Sequence, residues 1–374
     1  MHFTASTSDF GKALGLARSC APQKSTVPIL SHFLVRADER GLAITASDLD
    51  REVTIRCAAN VKTNGLLAIE GGMLTDIVGR AGGTEVTVKS DDGKVKISSG
   101  RSNFNVPTLE PDDFPLLGQP EGAAEYTLTG GEFQRAAMRV LFAAATDVTA
   151  KGYLCCVHVH PDDNSWVCVA ADGPQLARVA FPAPNHGQSL SPFSLPPKTA
   201  QLAGKIFGSE DIAMRIGERL VSFTSPSASL VSKLIDGSFP DYGRVIPTDV
   251  QTVRVNRAEL ADSVARVAVV GGDLGVLLEF NGETLRLSSR KGMGADGADE
   301  MGLLSPAKPA EATIHPQIMA SILGIFSEDE VFLGLENVKK PTGNPIIVHG
   351  GHPGTLAILM SMVSRKILNE ARAA

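Results

Sequence analysis

Cysteine is scarce and unpatterned in this chain: Cys20, Cys57, Cys155, Cys156 and Cys168 are five among 374 residues, an odd count without a Cys-x-x-Cys pair. That argues against a disulfide scaffold, a zinc ribbon and a redox motif, and the adjacent Cys155 and Cys156, which would face opposite sides if they lay in a strand, read as small packing residues. No stretch approaches the roughly 18 apolar residues of a membrane helix. The opening Met1-His2-Phe3-Thr4-Ala5-Ser6 has no basic segment leading into an apolar one, so a cytoplasmic protein without membrane partners is expected. Basic charge is in deficit: 35 Lys and Arg against 41 Asp and Glu give a net −6, which argues against a surface that coats nucleic acid all round yet leaves room for a local basic lining.

Catalytic signatures are missing as well. Walker A, His-Glu-x-x-His and Gly-x-Ser-x-Gly motifs do not occur. Gly292-Met293-Gly294-Ala295-Asp296-Gly297 satisfies G-x-G-x-x-G, the basis for a remote reading as a nucleotide-dependent enzyme. A pyrophosphate site needs a helix N-terminus next, whereas Ala298-Asp299-Glu300-Met301-Gly302 is acidic and aperiodic, so an acidic loop is expected. His158-x-His160 with Asp162 and Asp163 could gather a metal on one strand face, but an exposed strand end is the expected reading. His349 and His352 lie in Gly-rich sequence without a neighbouring carboxylate. Catalytic residues, metal ligands and cofactors are all expected to be none.

What is present is repetition. Hydrophobic residues at 43% and charged residues at 20% describe an ordinary globular chain, long enough for two or three domains. Three amphipathic helices are expected, at Thr7 to Cys20, Thr129 to Ala145 and Asn256 to Val270, each opening on a capping residue type with an acid in the first turn. Their first anchors, Phe10, Phe133 and Leu260, recur at intervals of about 125 residues. A second helix recurs at Glu70 to Arg80, Pro197 to Phe207 and Pro316 to Phe326, each followed by an acid opening a strand at Glu85, Asp211 and Glu330. Phe114-Pro115 and Phe239-Pro240 mark matching corners, and Leu42 to Ala46, Val95 to Ser98 and Thr284 to Leu287 read as short alternating strands. The fold class is therefore α+β, three similar domains at 1–120, 121–249 and 250–374, each with two helices on antiparallel sheet.

Val27-Pro28-Ile29-Leu30, Ala46-Ser47-Asp48-Leu49-Asp50, Gly100-Arg101-Ser102-Asn103-Phe104, Val169-Ala170-Ala171-Asp172-Gly173 and Asp236-Gly237-Ser238-Phe239-Pro240-Asp241-Tyr242 occur in an order that resembles the bacterial DNA polymerase III beta subunit, or sliding clamp, family. The resemblance runs from residue 1 to about 363. It implies a head-to-tail homodimer closing as a six-domain ring around double-stranded DNA, without sequence preference, helices lining the hole. The charges agree: in the six helical windows Lys12, Arg18, Arg80, Arg135, Arg139, Lys198, Lys205, Arg257 and Arg266 outnumber Asp9, Glu70, Asp76, Glu132, Glu259 and Asp262, leaving the rest of the chain acidic.

By position the resemblance implies DNA-facing roles for Lys24, Lys151, Tyr153 and Lys198. It implies a groove for short clamp-binding peptides at Leu154, Gly173, Pro174, Leu176, Pro240, Arg244, Val245, Ile358, Leu359, Met360 and Met362. The partners expected there are the DNA polymerase catalytic subunit, the clamp loader and other DNA enzymes. The dimer interface is expected at Arg101, Phe104 and Val106 against Val269 and Val270, with Asp296, Asp299 or Glu300 opposite Arg101. Departures point to an alternative, a specialised paralogous clamp: Pro174-Gln175 and Ser361-Met362-Val363 stand where the family usually has His-Arg and Pro-Met-Arg, and a C-terminal extension runs from about 364.

Overall fold

The computed structural model describes residues 1–22, 25–91, 93–184, 190–291, 295–336, 343–351 and 354–362. Lys24, Gly292, Met293, Gly294, His352, Val363 and the extension from 364 lie outside the described residues. Two compact units are built from this chain.

The first unit draws on residues 1–135 and 198–235. It holds one antiparallel sheet, strands following in the order 124–128, 212–216, 220–224, 228–233, 51–57, 41–47, 32–38, 65–70, 102–109, 94–99, 85–91, 2–6 and 60–63. The sheet is continuous because strand 228–233 pairs with strand 51–57, Leu230 opposite Val53. Helix Thr7–Arg18 buries Phe10, Ala13, Leu14 and Ala17, a stripe at helical spacing, and Phe10 meets Phe3 edge-on at 5.8 Å. Its cap is Ser6, one residue before the expected Thr7: the Asp9 amide donates to Ser6 Oγ, while Thr7 turns its hydroxyl to the Gly83 carbonyl. Helix Gly71–Gly79 is capped by the Glu70 carboxylate and packs so closely that a Cβ on Gly71 would lie 2.6 Å from the Phe33 ring. Helix Pro197–Phe207 has its expected bounds.

The second unit draws on residues 136–183, 190–197 and 236–362. Its main sheet runs in the order 193–195, 157–162, 165–171, 175–182, 355–360, 345–349, 330–336 and 250–256. Strands 276–291 and 295–314 form a separate two-stranded sheet. Helix Arg257–Gly271 is capped by Asn256, which accepts from the Glu259 amide at 2.9 Å, and helix Pro316–Leu323 opens on its proline. The helix expected at Thr129 to Ala145 is shorter, Glu132–Val140, tightening into a 3-10 turn at Leu141–Ala143.

One expectation is corrected. Asp296, Asp299 and Glu300 lie in strand Ala295–Ile314, not in a loop, paired with Arg290, Leu287 and Arg286. With a strand where a helix N-terminus would be needed, the Gly-rich sequence loses its case as a dinucleotide site, and the nucleotide-dependent enzyme goes with it. Cys155 and Cys156 follow a 3-10 turn and lie in no strand; both are buried, as packing residues should be. Among the described residues no helix is long and apolar enough to cross a membrane.

Candidate functional site

Strand parity builds an apolar floor on one face of the second unit's main sheet, over its central strands. Leu176 in strand 175–182 lies opposite Ile358 in strand 355–360, so the two share a face and Leu359 is turned to the other. Leu176 and Ile358 are buried with Val167 and Val169, and Phe239, Tyr242, Ile246 and Met360 pack against them. The segment Phe239 to Pro247 forms a wall, closed by the 3-10 turn Tyr242–Val245 that Asp241 caps through the Gly243 amide at 3.2 Å. Leu154 enters from another 3-10 turn, pinned by the Ala145 amide on its carbonyl at 3.1 Å. These elements enclose a mainly apolar groove of about 450 Å³.

Eight of the residues expected at a groove line it: Leu154, Gly173, Leu176, Pro240, Arg244, Val245, Ile358 and Met360. Three do not. Leu359 is fully buried on the opposite face of its strand. Pro174 is exposed on the turn beside the groove and accepts the Met360 amide at 2.8 Å through its carbonyl. Met362 bridges to Thr313, its sulfur beside Gly275. Ala171, Gln175, Phe239, Asp241, Tyr242, Pro247, Glu336, Gly343 and Pro345 also line the groove and were not anticipated. Phe239, Asp241 and Tyr242 were visible as a Phe-Pro corner; nothing local in the sequence signals Glu336 or Pro345.

Charge at the rim is largely paired. Lys151 Nζ donates to Asp172 Oδ1 at 2.6 Å, which pushes the ammonium's pKa up. Arg244 Nε meets Asp241 Oδ2 at 3.0 Å in solvent. The histidine pair is not the exposed strand end expected. His158 is partly buried against Phe239, and burial pushes its imidazole down to about 4, with His160 adding to the shift. Asp162 is paired with Arg178, and among the described residues no group of His, Cys, Asp or Glu could hold a metal.

Of the residues expected to face DNA, Tyr153 and Lys198 are exposed and Lys151 is engaged by Asp172. Part of the basic helical charge is paired too, Arg18 with Asp76 at 2.8 Å and Arg266 with Asp299 at 2.6 Å. Arg101 and Phe104 are exposed, and Phe104 lines a second hollow with Met73 and Ile77. Val106 is 1% exposed, because strand alternation turns it into the core, so its side chain is not available to a partner. Val269 is 84% exposed, while Val270 lies against Gly297. Asp299, held below the usual carboxylate range by Arg266, is already paired within its own chain.

The fold and the groove define an α+β scaffold of antiparallel sheets with an apolar hollow over the central strands of one of them. Residues 1–118 match the family model for the DNA polymerase III beta subunit, N-terminal domain, and residues 127–241 match that for its central domain. The beta sliding clamp of Caulobacter vibrioides is 28% identical over 363 residues, spanning 94% of this chain and 96% of that protein. The solved clamp of Bartonella birtlesii, bound to griselimycin, superposes with a TM-score of 0.89 at 28% identity, covering 97% of this chain and 99% of that one. A solved clamp from Pseudomonas aeruginosa gives a TM-score of 0.90 at 22% identity over 97% and 99% of the two chains, a likeness of fold. The chain belongs to the DNA polymerase III beta subunit family, the beta sliding clamps, which are non-catalytic processivity factors.

Proposed function

We propose that this protein is a sliding clamp that closes as a homodimer around duplex DNA and tethers the replicative polymerase, conferring processivity. A ring holds DNA by topology, so scattered contacts from Lys and Arg without base readout suffice, and strong phosphate binding would impede sliding. The division into domains at 1–120, 121–249 and 250–374 belongs to this reading, supported by family matches that end at residues 118 and 241. The exposed Phe104 beside Met73, and Val269, support a dimer seam. Cytoplasmic location follows from the same reading.

The observation that carries the tethering role is the groove floored by Leu176 and Ile358 and open to solvent. An extended peptide from the polymerase catalytic subunit, the clamp loader or another DNA enzyme would place apolar side chains on that floor. Met360 suits a surface serving several partners, since its thioether repacks. A specialised paralogue is the second reading, favoured by Pro174 and Gln175 beside the groove; failure to support processive synthesis with its host replicase, despite ring formation, would select it.

Retention on DNA tests the main reading. After loading, the protein should stay on circular duplex at salt that abolishes direct binding, and leave once the circle is linearised. Equal retention on circles and on linear DNA with free ends would rule out topological linkage.

A further inference from the structure

The His158-x-His160 pair still needs an account. Alternation puts both imidazoles on one face of strand 157–162, ring centroids 5.7 Å apart. Across that face runs the groove wall, and each of its aromatic rings rests on one histidine. Phe239 stacks on His158 at 4.8 Å with 4° between the planes, and the Tyr242 hydroxyl lies 2.8 Å from His160 Nε2. The far side of each imidazole is fixed in turn, His158 Nδ1 at 3.0 Å from Ser194 Oγ and His160 Nδ1 at 2.8 Å from the Pro161 carbonyl.

The hydrogens have a forced direction. A carbonyl only accepts, so His160 Nδ1 carries the hydrogen, and in the neutral ring Nε2 is left as an acceptor. Tyr242 therefore donates to His160. Its oxygen accepts in return from Arg178 Nε at 3.3 Å, and Arg178 is oriented by its ion pair with Asp162. Burial pushes the Tyr242 phenol up, which keeps the donated proton in place. The ring beneath Phe239 is neutral at physiological pH, because burial holds it down to about 4.

We propose that His158 and His160 are positioning residues for the peptide groove, His158 as the seat of Phe239 and His160 as the acceptor that pins Tyr242. This rests on the tethering reading above. Pro240, Asp241, Gly243, Arg244 and Val245 of the wall are exposed and the segment closes on a single 3-10 turn, so these two side-chain anchors hold it over Leu176 and Ile358. A wall already in place spares a bound peptide the ordering cost, and its loss should appear mainly as faster dissociation.

The test titrates a fluorescein-labelled peptide carrying a Leu-Phe pair, by anisotropy, into wild type, Tyr242→Phe, His160→Phe and His160→Gln. Tyr242→Phe and His160→Phe are expected to weaken binding about tenfold, chiefly through dissociation. His160→Gln, whose amide oxygen can accept from the phenol, is expected to recover most of the loss. In the wild type, imidazole 15N spectra should show His160 as the Nδ1–H tautomer. Undiminished affinity in His160→Phe, or the Nε2–H tautomer, overturns the inference while leaving the groove intact. A wild type that binds no peptide overturns the groove reading and this inference together.

Discussion

Lys151 Nζ reaches Asp172 Oδ1 across 2.6 Å, joining a residue expected at DNA to the turn whose tip, Gly173, edges the groove. Gly173 has φ +53°, the left-handed conformation that glycine takes without strain. The pair is part-exposed, where such bridges contribute little to stability, so its removal should be read in DNA binding. Asp172→Asn releases the ammonium and is expected to raise direct affinity for a labelled duplex at low salt about twofold, while Lys151→Ala lowers it. Identical affinities across a salt series in all three proteins would take Lys151 out of the DNA-facing surface.

Floor and wall of the groove should separate stability from binding. Ile358 is 2% exposed, so Ile358→Ala is expected to cost about 2–5 kcal/mol in urea unfolding and to weaken peptide binding as well. Val245 is 52% exposed, and Val245→Ala should leave stability within about 0.5 kcal/mol while still weakening the peptide. Peptide affinity unchanged in Val245→Ala would move the binding site away from this wall.

Phe104 and Val106 make opposite predictions although two residues apart. Phe104→Asp, at an exposed position, is expected to convert dimer to monomer at micromolar concentration by light scattering, with folding preserved. Val106→Ala should destabilise the fold by about 1–3 kcal/mol and leave the dimer in place. A Phe104→Asp protein that stays fully dimeric would exclude this seam.

Stability should fall on acidification through His158. Its imidazole is held down to about 4 in the fold, against about 6.5 in an unfolded chain, so between these values the unfolded state binds the extra proton. The contribution is complete above about pH 6.5 and is lost as pH falls towards 4. His158→Phe keeps a ring under Phe239 and removes the titration, and its denaturant midpoint should change less than wild type's between pH 6.5 and 4.5. Parallel curves for the two proteins would assign the acid sensitivity to other groups.

Helix Gly71–Gly79 depends on Glu70, whose carboxylate accepts from the Gly72 and Met73 amides. Glu70→Ala should cost about 1 kcal/mol, and Glu70→Asp should restore part of it, measured by thermal unfolding.

What the chain determined by itself is local. Helix onsets at Asn256, Pro197 and Pro316, and the strands opening near Glu85, Asp211 and Glu330, follow from caps, proline and apolar period, which act within a few residues. The repeat at intervals of about 125 residues and the family marks were legible for the same reason, as patterns along one dimension. Tertiary structure decided which face each residue presents. Leu359 and Val106 stand in stretches singled out for a groove and a seam, and each is turned inward by strand parity, which is set by pairing with strands elsewhere in the chain. The groove itself joins Leu154, Leu176, Tyr242 and Ile358, brought together only by sheet register and the return of the chain. The two histidines needed that register most: beside Asp162 and Asp163 in sequence they read as an exposed strand end, and only the fold set Phe239 and Tyr242 upon them.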